Sequence, residues 1–170
     1  MAPGPTTGRQ LRKDRSHMTT ATTGSASIEI DAPPSMVYQL VSDITRMGDW
    51  SPECYRCEWL DGATGPTVGA RFRGHNRLGR IHWQRTAAVT AADPGREFAF
   101  TILNKNGREE TLWSYRLSPL GEGTALVESY EFLWCHIHNR IAELPIPRDK
   151  QLRRGLRETL HRIKSAAEHT

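Results

Sequence analysis

The chain of 170 residues is poor in cysteine and has no long apolar run. Its three cysteines, Cys54, Cys57 and Cys135, are too few and too unevenly placed to form a disulfide framework. No hydrophobic stretch precedes them that could serve as a signal peptide or a membrane span. These absences predict a cytoplasmic protein with reduced thiols and no stable membrane insertion. Signatures of covalent and phosphate chemistry are also missing. No Gly-x-Ser-x-Gly elbow supports a serine nucleophile. Neither Gly-x-Gly-x-x-Gly nor a Walker pattern offers a phosphate cradle. A broad basic face is lacking as well. The formal charge is +4, but Arg9, Arg12, Lys13 and Arg15 against Asp14 place +3 in the first twenty residues and leave +1 for the rest. Phosphate backbones require clustered Lys and Arg on the domain itself, so no nucleic-acid partner is expected.

What is present fits one core, since two would be cramped in this length. Residues 1–24, rich in Thr, Pro and Gly and without hydrophobic period, are expected to be a disordered tail. Within it Ser16-His17-Met18 reads as a cloning junction, with residues up to His17 vector-derived and Met18 the natural start. Residues 25–168 are expected to form a single ligand-binding domain. Ser25 to Asp31 alternates with Ile28 and Ile30 on one face, as a half-buried strand does. After Pro33-Pro34 the spacing of Val37, Leu40, Val41 and Ile44 turns helical, with Ser35 as the candidate N-cap. Asp43 to Trp50 reads as a second, broken turn of helix that Gly48 and Ser51-Pro52 end.

Beyond Pro52 the apolar period becomes two, and Gly or Pro recurs at the gaps. The predicted strands are 55–60, 70–77, 81–92, 97–104, 110–118 and 124–134. Nine of the thirteen aromatic residues lie between Phe72 and Trp134, so this meander carries an aromatic face. Leu152, Leu156, Leu160, Ile163 and Ala167 then form one stripe of a long amphipathic helix, away from Arg153, Arg154, Arg157 and Arg162. The fold class is α+β: a curved antiparallel sheet of about seven strands around a long C-terminal helix, with two short helices after the first strand.

That element order is accompanied by particular residues. They are Ile28-Glu29-Ile30-Asp31-Ala32-Pro33, Asp49-Trp50-Ser51-Pro52, Gly69-Ala70-Arg71-Phe72-Arg73-Gly74 with Asn76, Asp93-Pro94-Gly95-Arg96, Trp113-Ser114-Tyr115-Arg116-Leu117, and Gly155-Leu156-Arg157 with Ile163-Lys164. From about Ile28 to Glu168 the chain resembles the polyketide cyclase/dehydratase-like branch of the START-like (SRPBCC) superfamily. The resemblance implies the helix-grip fold and an internal cavity for a small hydrophobic molecule of polyketide, lipid or aromatic type. It leaves enzyme, lipid-transfer-type carrier and sensor open, because one scaffold serves all three. Cofactor-independent cyclisation or dehydration of a polyketide-like substrate is the leading specific reading, with no cofactor required and a monomer or homodimer expected.

Strand alternation identifies which side chains would line such a cavity. With the aromatic side inward, Phe72, Asn76, Trp83, Phe98, Phe100, Trp113, Tyr115, Phe132 and Trp134 face it, closed over by Leu156 and Leu160. The polar exceptions are Asn76, Arg85, Tyr115, Glu128 and Tyr130. A charge on an apolar face must be paired or bind a ligand, so Arg85 and Glu128 are expected to face each other. In an enzyme Arg85 would hold an enolate or carboxylate, with Glu128 or Tyr130 handling the proton. The competing reading is that a bulge turns either charge outward. Tyr115 and Tyr130 also read as core aromatics with satisfied hydroxyls. Cys54-x-x-Cys57 and Cys135-His136-x-His138 hold enough soft ligands for zinc. Residues three apart on a strand point to opposite faces, however, so no metal site is expected. His75 and His82 are expected outside, in solvent.

Overall fold

The computed structural model describes residues 23–133 and 148–169. The expected tail up to residue 22, Trp134 and the Cys135-His136-x-His138 group lie outside the described residues. Seven strands form one antiparallel sheet: β1 (Thr23–Ile30), β2 (Cys54–Trp59), β3 (Arg71–Leu78), β4 (Ile81–Asp93), β5 (Glu97–Leu103), β6 (Glu109–Leu120) and β7 (Gly123–Phe132). Their spatial order is β1-β7-β6-β5-β4-β3-β2, a meander of neighbours with β1 added to its far edge. Between β1 and β2 run α1 (Pro34–Ser42), a 3-10 turn (Ile44–Arg46) and α2 (Met47–Trp50). The long helix α3 (Arg148–Glu168) closes the described chain. This is the helix-grip architecture.

The helices begin and end for local reasons. Proline at the first position of α1 has its φ already set for a helix and loses no needed N–H, so α1 starts at Pro34 with Pro33 before it and no side-chain cap. Ser35 therefore lies inside the helix rather than capping it. The 3-10 turn is capped by Asp43, whose Oδ1 accepts from the Thr45 N–H at 3.1 Å. Ser51 follows α2 as its C-cap and leads into β2, its Oγ accepting from the Cys54 N–H at 3.0 Å. The first strand begins at Thr23, ahead of the expected Ser25, because Thr23 and Gly24 pair with Glu131 and Tyr130 of β7. Gly24 is required there: a Cβ on it would come within 2.4 Å of the Tyr130 ring.

The sheet buries one face against the helices. Leu156, Leu160, Ile163 and Ala167 of α3 are buried with Val37, Val41 and Ile44 from the first helical segment. Trp50, Phe72, Phe98, Leu117 and Leu126 complete the same interior. The α3 helix lies mainly along β1, touching α1, α2 and β7 as well. Burial at roughly 25 cal/mol per Å² of apolar surface makes this helix-to-sheet seam the main source of cohesion.

Candidate functional site

Cross-strand register builds the inner face in rows. Phe98, Tyr115, Glu128 and Ala26 are successive partners on β5, β6, β7 and β1. The next row is Phe100, Trp113, Tyr130 and Gly24, and the one beyond it Phe72, Ala87, Ile102, Thr111 and Phe132. On the same face Gly74 lies opposite Arg85 and Asn76 opposite Trp83. The aromatic members interlock, with Phe72 edge-on to Phe100 at 5.1 Å and Tyr130 at 5.4 Å from both Trp113 and Phe132. Phe72, Phe98, Phe100, Tyr115 and Tyr130 are buried, whereas Asn76, Trp83, Arg85, Trp113 and Phe132 are half-buried. The face thus has a packed floor and a partly open rim. Surface hollows at Gly62–Thr67 with Ala70 and at Asn106–Glu109 with Leu133 lie elsewhere, and the first contains no titratable side chain.

On the floor sits one buried acid. Glu128 is 3% exposed and accepts a hydrogen bond on Oε1 from the Tyr115 hydroxyl at 2.9 Å. Its second oxygen, Oε2, is buried with no hydrogen-bond partner among the described residues. Burial pushes the carboxyl up to about 8, against the opposing effect of the tyrosine hydrogen bond. Glu128 is therefore mostly protonated at neutral pH. Burial first, then the adjacent carboxyl, also holds the Tyr115 hydroxyl well above its ordinary range. The result is a neutral acid with one oxygen fixed by a tyrosine and the other facing the interior.

Arg85 does not meet this carboxyl. It is on the inner face as alternation predicts, but its guanidinium pairs with Glu110, and the two side chains are 39% and 25% exposed. The ladder between β5 and β6 shifts register between Ile102 and Leu103, whose partners are Thr111 and Glu109. Glu110 is the extra residue, and it takes the place expected for Glu128. The predicted Arg85–Glu128 pair is thus replaced by a rim ion pair and a separate buried acid.

A second slip corrects the reading of the cysteines. Cys54 pairs with Asn76 and Arg56 with His75, so Tyr55 is extra and Cys54 and Cys57 point to the same side. Both are buried free thiols, with Sγ atoms 3.3 Å apart. His75 is not solvated as expected: its Nε2 lies 3.1 Å from Glu58 Oε1 and its ring beside Tyr55. His82 is exposed, as expected. Glu110 as the partner of Arg85, and the shared side of Cys54 and Cys57, were missed because an inserted strand residue leaves no trace in the polarity pattern.

A curved seven-stranded sheet gripping a terminal helix, with a buried acid on its inner face, defines a helix-grip domain. The profile of the family described as polyketide cyclase / dehydrase and lipid transport matches residues 21–168, and the chain belongs to that family. Among solved structures it is similar to a Polyketide_cyc-like protein of Corynebacterium glutamicum, at 37% identity, covering 88% of this chain and 93% of that one, with a TM-score of 0.59. The Zhui aromatase/cyclase of Streptomyces sp. R1128 shares the fold at 18% identity, covering 88% and 94%, with a TM-score of 0.64. Ara h 8.0201 does so at 13% identity, covering 88% and 99%, with a TM-score of 0.62. No curated protein matches the sequence. The family supports a hydrophobic-ligand-binding role, and no described helix is long and apolar enough to cross a membrane.

Proposed function

We propose that the domain, residues 25–168, binds a polyketide-like molecule against its aromatic inner face and that Glu128 is the acid of a cofactor-independent cyclisation and dehydration. The observation that carries this reading is the buried Oε2 of Glu128, which has no hydrogen-bond partner among the described residues. An uncompensated polar atom in an apolar interior costs about 1–3 kcal/mol, and a ligand carbonyl accepting from it would remove that cost. Tyr115 occupies Oε1, so the proton is available on Oε2.

In an aldol-type closure, an enol carbon of the chain attacks a second carbonyl carbon. The new C–C bond forms as that carbonyl oxygen takes the Glu128 proton, leaving a carboxylate held by Tyr115. The carboxylate then removes a proton from the neighbouring carbon, and the hydroxyl leaves as water with a proton supplied by the protonated carboxyl. The enol hydroxyl, becoming a ketone, releases its own proton to solvent in the first step, and Glu128 regains one from solvent after the last, so proton balance is restored without a cofactor. At the rim Arg85 would hold an acidic end of the ligand, exchanging Glu110 for it. Phe72, Phe98, Phe100, Trp113, Phe132, Leu156 and Leu160 supply apolar contact, while Asn76 and Trp83 edge the opening. Tyr130, expected as a proton carrier, is assigned to packing. The family's description includes lipid transport, which favours a second reading as a noncatalytic carrier or sensor.

The test is turnover of synthetic poly-β-ketone thioesters, followed by mass spectrometry, beside direct binding of aromatic polyketide analogues. Wild-type protein should give a dehydrated cyclic product, and Glu128→Gln should lose ~10²–10⁴-fold in rate while still binding the analogues. Binding without turnover in both proteins would establish the carrier. Absence of binding would reject both readings. The assignment also expects a cytoplasmic protein, checked by fractionating its host.

A further inference from the structure

The register slip at Tyr55 gathers three sulfur atoms that the proposed reaction does not use. Cys54 Sγ is 3.3 Å from Cys57 Sγ, which is 3.7 Å from Met47 Sδ. All three residues are buried, Met47 supplied by α2 and the thiols by β2. The opposing strand leaves room for them at Gly74, where a Cβ would stand 3.4 Å from one Sγ and 3.7 Å from the other. We propose that Cys54, Cys57 and Met47 form a binding site for a thiophilic monovalent cation of the copper(I) class.

Ligand type decides the class. Two thiols and a thioether, with no oxygen donor among them, select soft ions. A structural zinc site is closed by four Cys, His or carboxylate ligands, and among the described residues no group of three or more His, Cys, Asp and Glu converges. Charge points the same way. One thiolate neutralises one monovalent ion, leaving no net charge in the apolar interior. On binding, the Cys54 S–H bond breaks, its proton leaves to solvent and an S–metal bond forms, with no change in oxidation state.

A disulfide is the main competitor. The partners Gly74 and Asn76 are two residues apart on β3, which sets the two cysteine Cα atoms roughly 6.4–6.8 Å apart, at the upper limit for an S–S bridge. An ion between the sulfurs needs no such approach of the backbone.

The experiment is an anaerobic titration of the full chain carrying Cys135→Ser with copper(I) delivered from a chelator, repeated with silver(I) as a redox-inert probe. One equivalent should bind, with a sulfur-to-metal ultraviolet band for copper. Cys54→Ser and Cys57→Ser should abolish tight binding, and the volume-conserving Met47→Leu should weaken it by ~10-fold or more. Circular dichroism of each variant confirms that the fold is retained. Uptake that survives Cys57→Ser, an affinity unchanged in Met47→Leu, or reduced protein that takes up no metal would each overturn the site. None of these outcomes depends on whether Glu128 is catalytic.

Discussion

A carboxyl raised from an ordinary 4.5 to about 8 ties stability to pH with a definite sign. Between those values the folded chain keeps the Glu128 proton and the unfolded chain does not. Stability from this group is therefore complete below about 4.5 and is lost as pH rises towards 8. Glu128→Gln keeps an acceptor for Tyr115 and removes the ionisation. Denaturant titrations at pH 5 and pH 8.5 should show a wild-type loss on the order of a few kcal/mol that the variant lacks. An Arg85–Glu128 pair would have made the same change destabilising through a stranded buried cation. Strict alternation turned Tyr115, Glu128 and Phe98 to the buried inner face, as the structure places them. It missed the partner of Arg85 and the common side of Cys54 and Cys57, because a slipped ladder changes the partner without changing which residues are apolar.

Elements were more legible than contacts. Period-two runs and Gly or Pro gaps marked every strand of the meander, because turns with positive φ at Gly62, Gly79, Gly95, Gly107 and Gly121 need that residue. The helix stripe of α3 was equally plain, since Leu156, Leu160 and Ile163 are the residues it buries. What periodicity could not reveal was how closely α2 approaches the bulged strand. A Cβ at Gly48 would stand 2.4 Å from the Tyr55 carbonyl oxygen, a backbone atom at the slip itself. Gly48→Ala should then push α2 off β2 and destabilise by roughly 1–3 kcal/mol in urea unfolding. A neutral result would show that the junction relaxes freely.

Over the whole molecule, cohesion depends on α3 filling the sheet. Leu160 is 1% exposed, between the sheet and the helical segments that follow β1. Leu160→Ala should cost about 2–5 kcal/mol, measured as a lower urea midpoint. The Arg85–Glu110 pair at the rim is partly exposed, so Arg85→Ala should change stability by less than about 1 kcal/mol. The pairing of β1 with β7 carries a different consequence, in time rather than energy. Thr23 meets Glu131, a partner made about a hundred residues later, and α3, which lies along β1, is later still. At ribosomal speeds of 5–20 residues per second the first strand waits roughly 5–20 s with its edge unpaired. The domain must then close by long-range contacts, which slow folding. Nascent chains halted before β7 should present β1 to chaperones, and release of the complete chain should bury it.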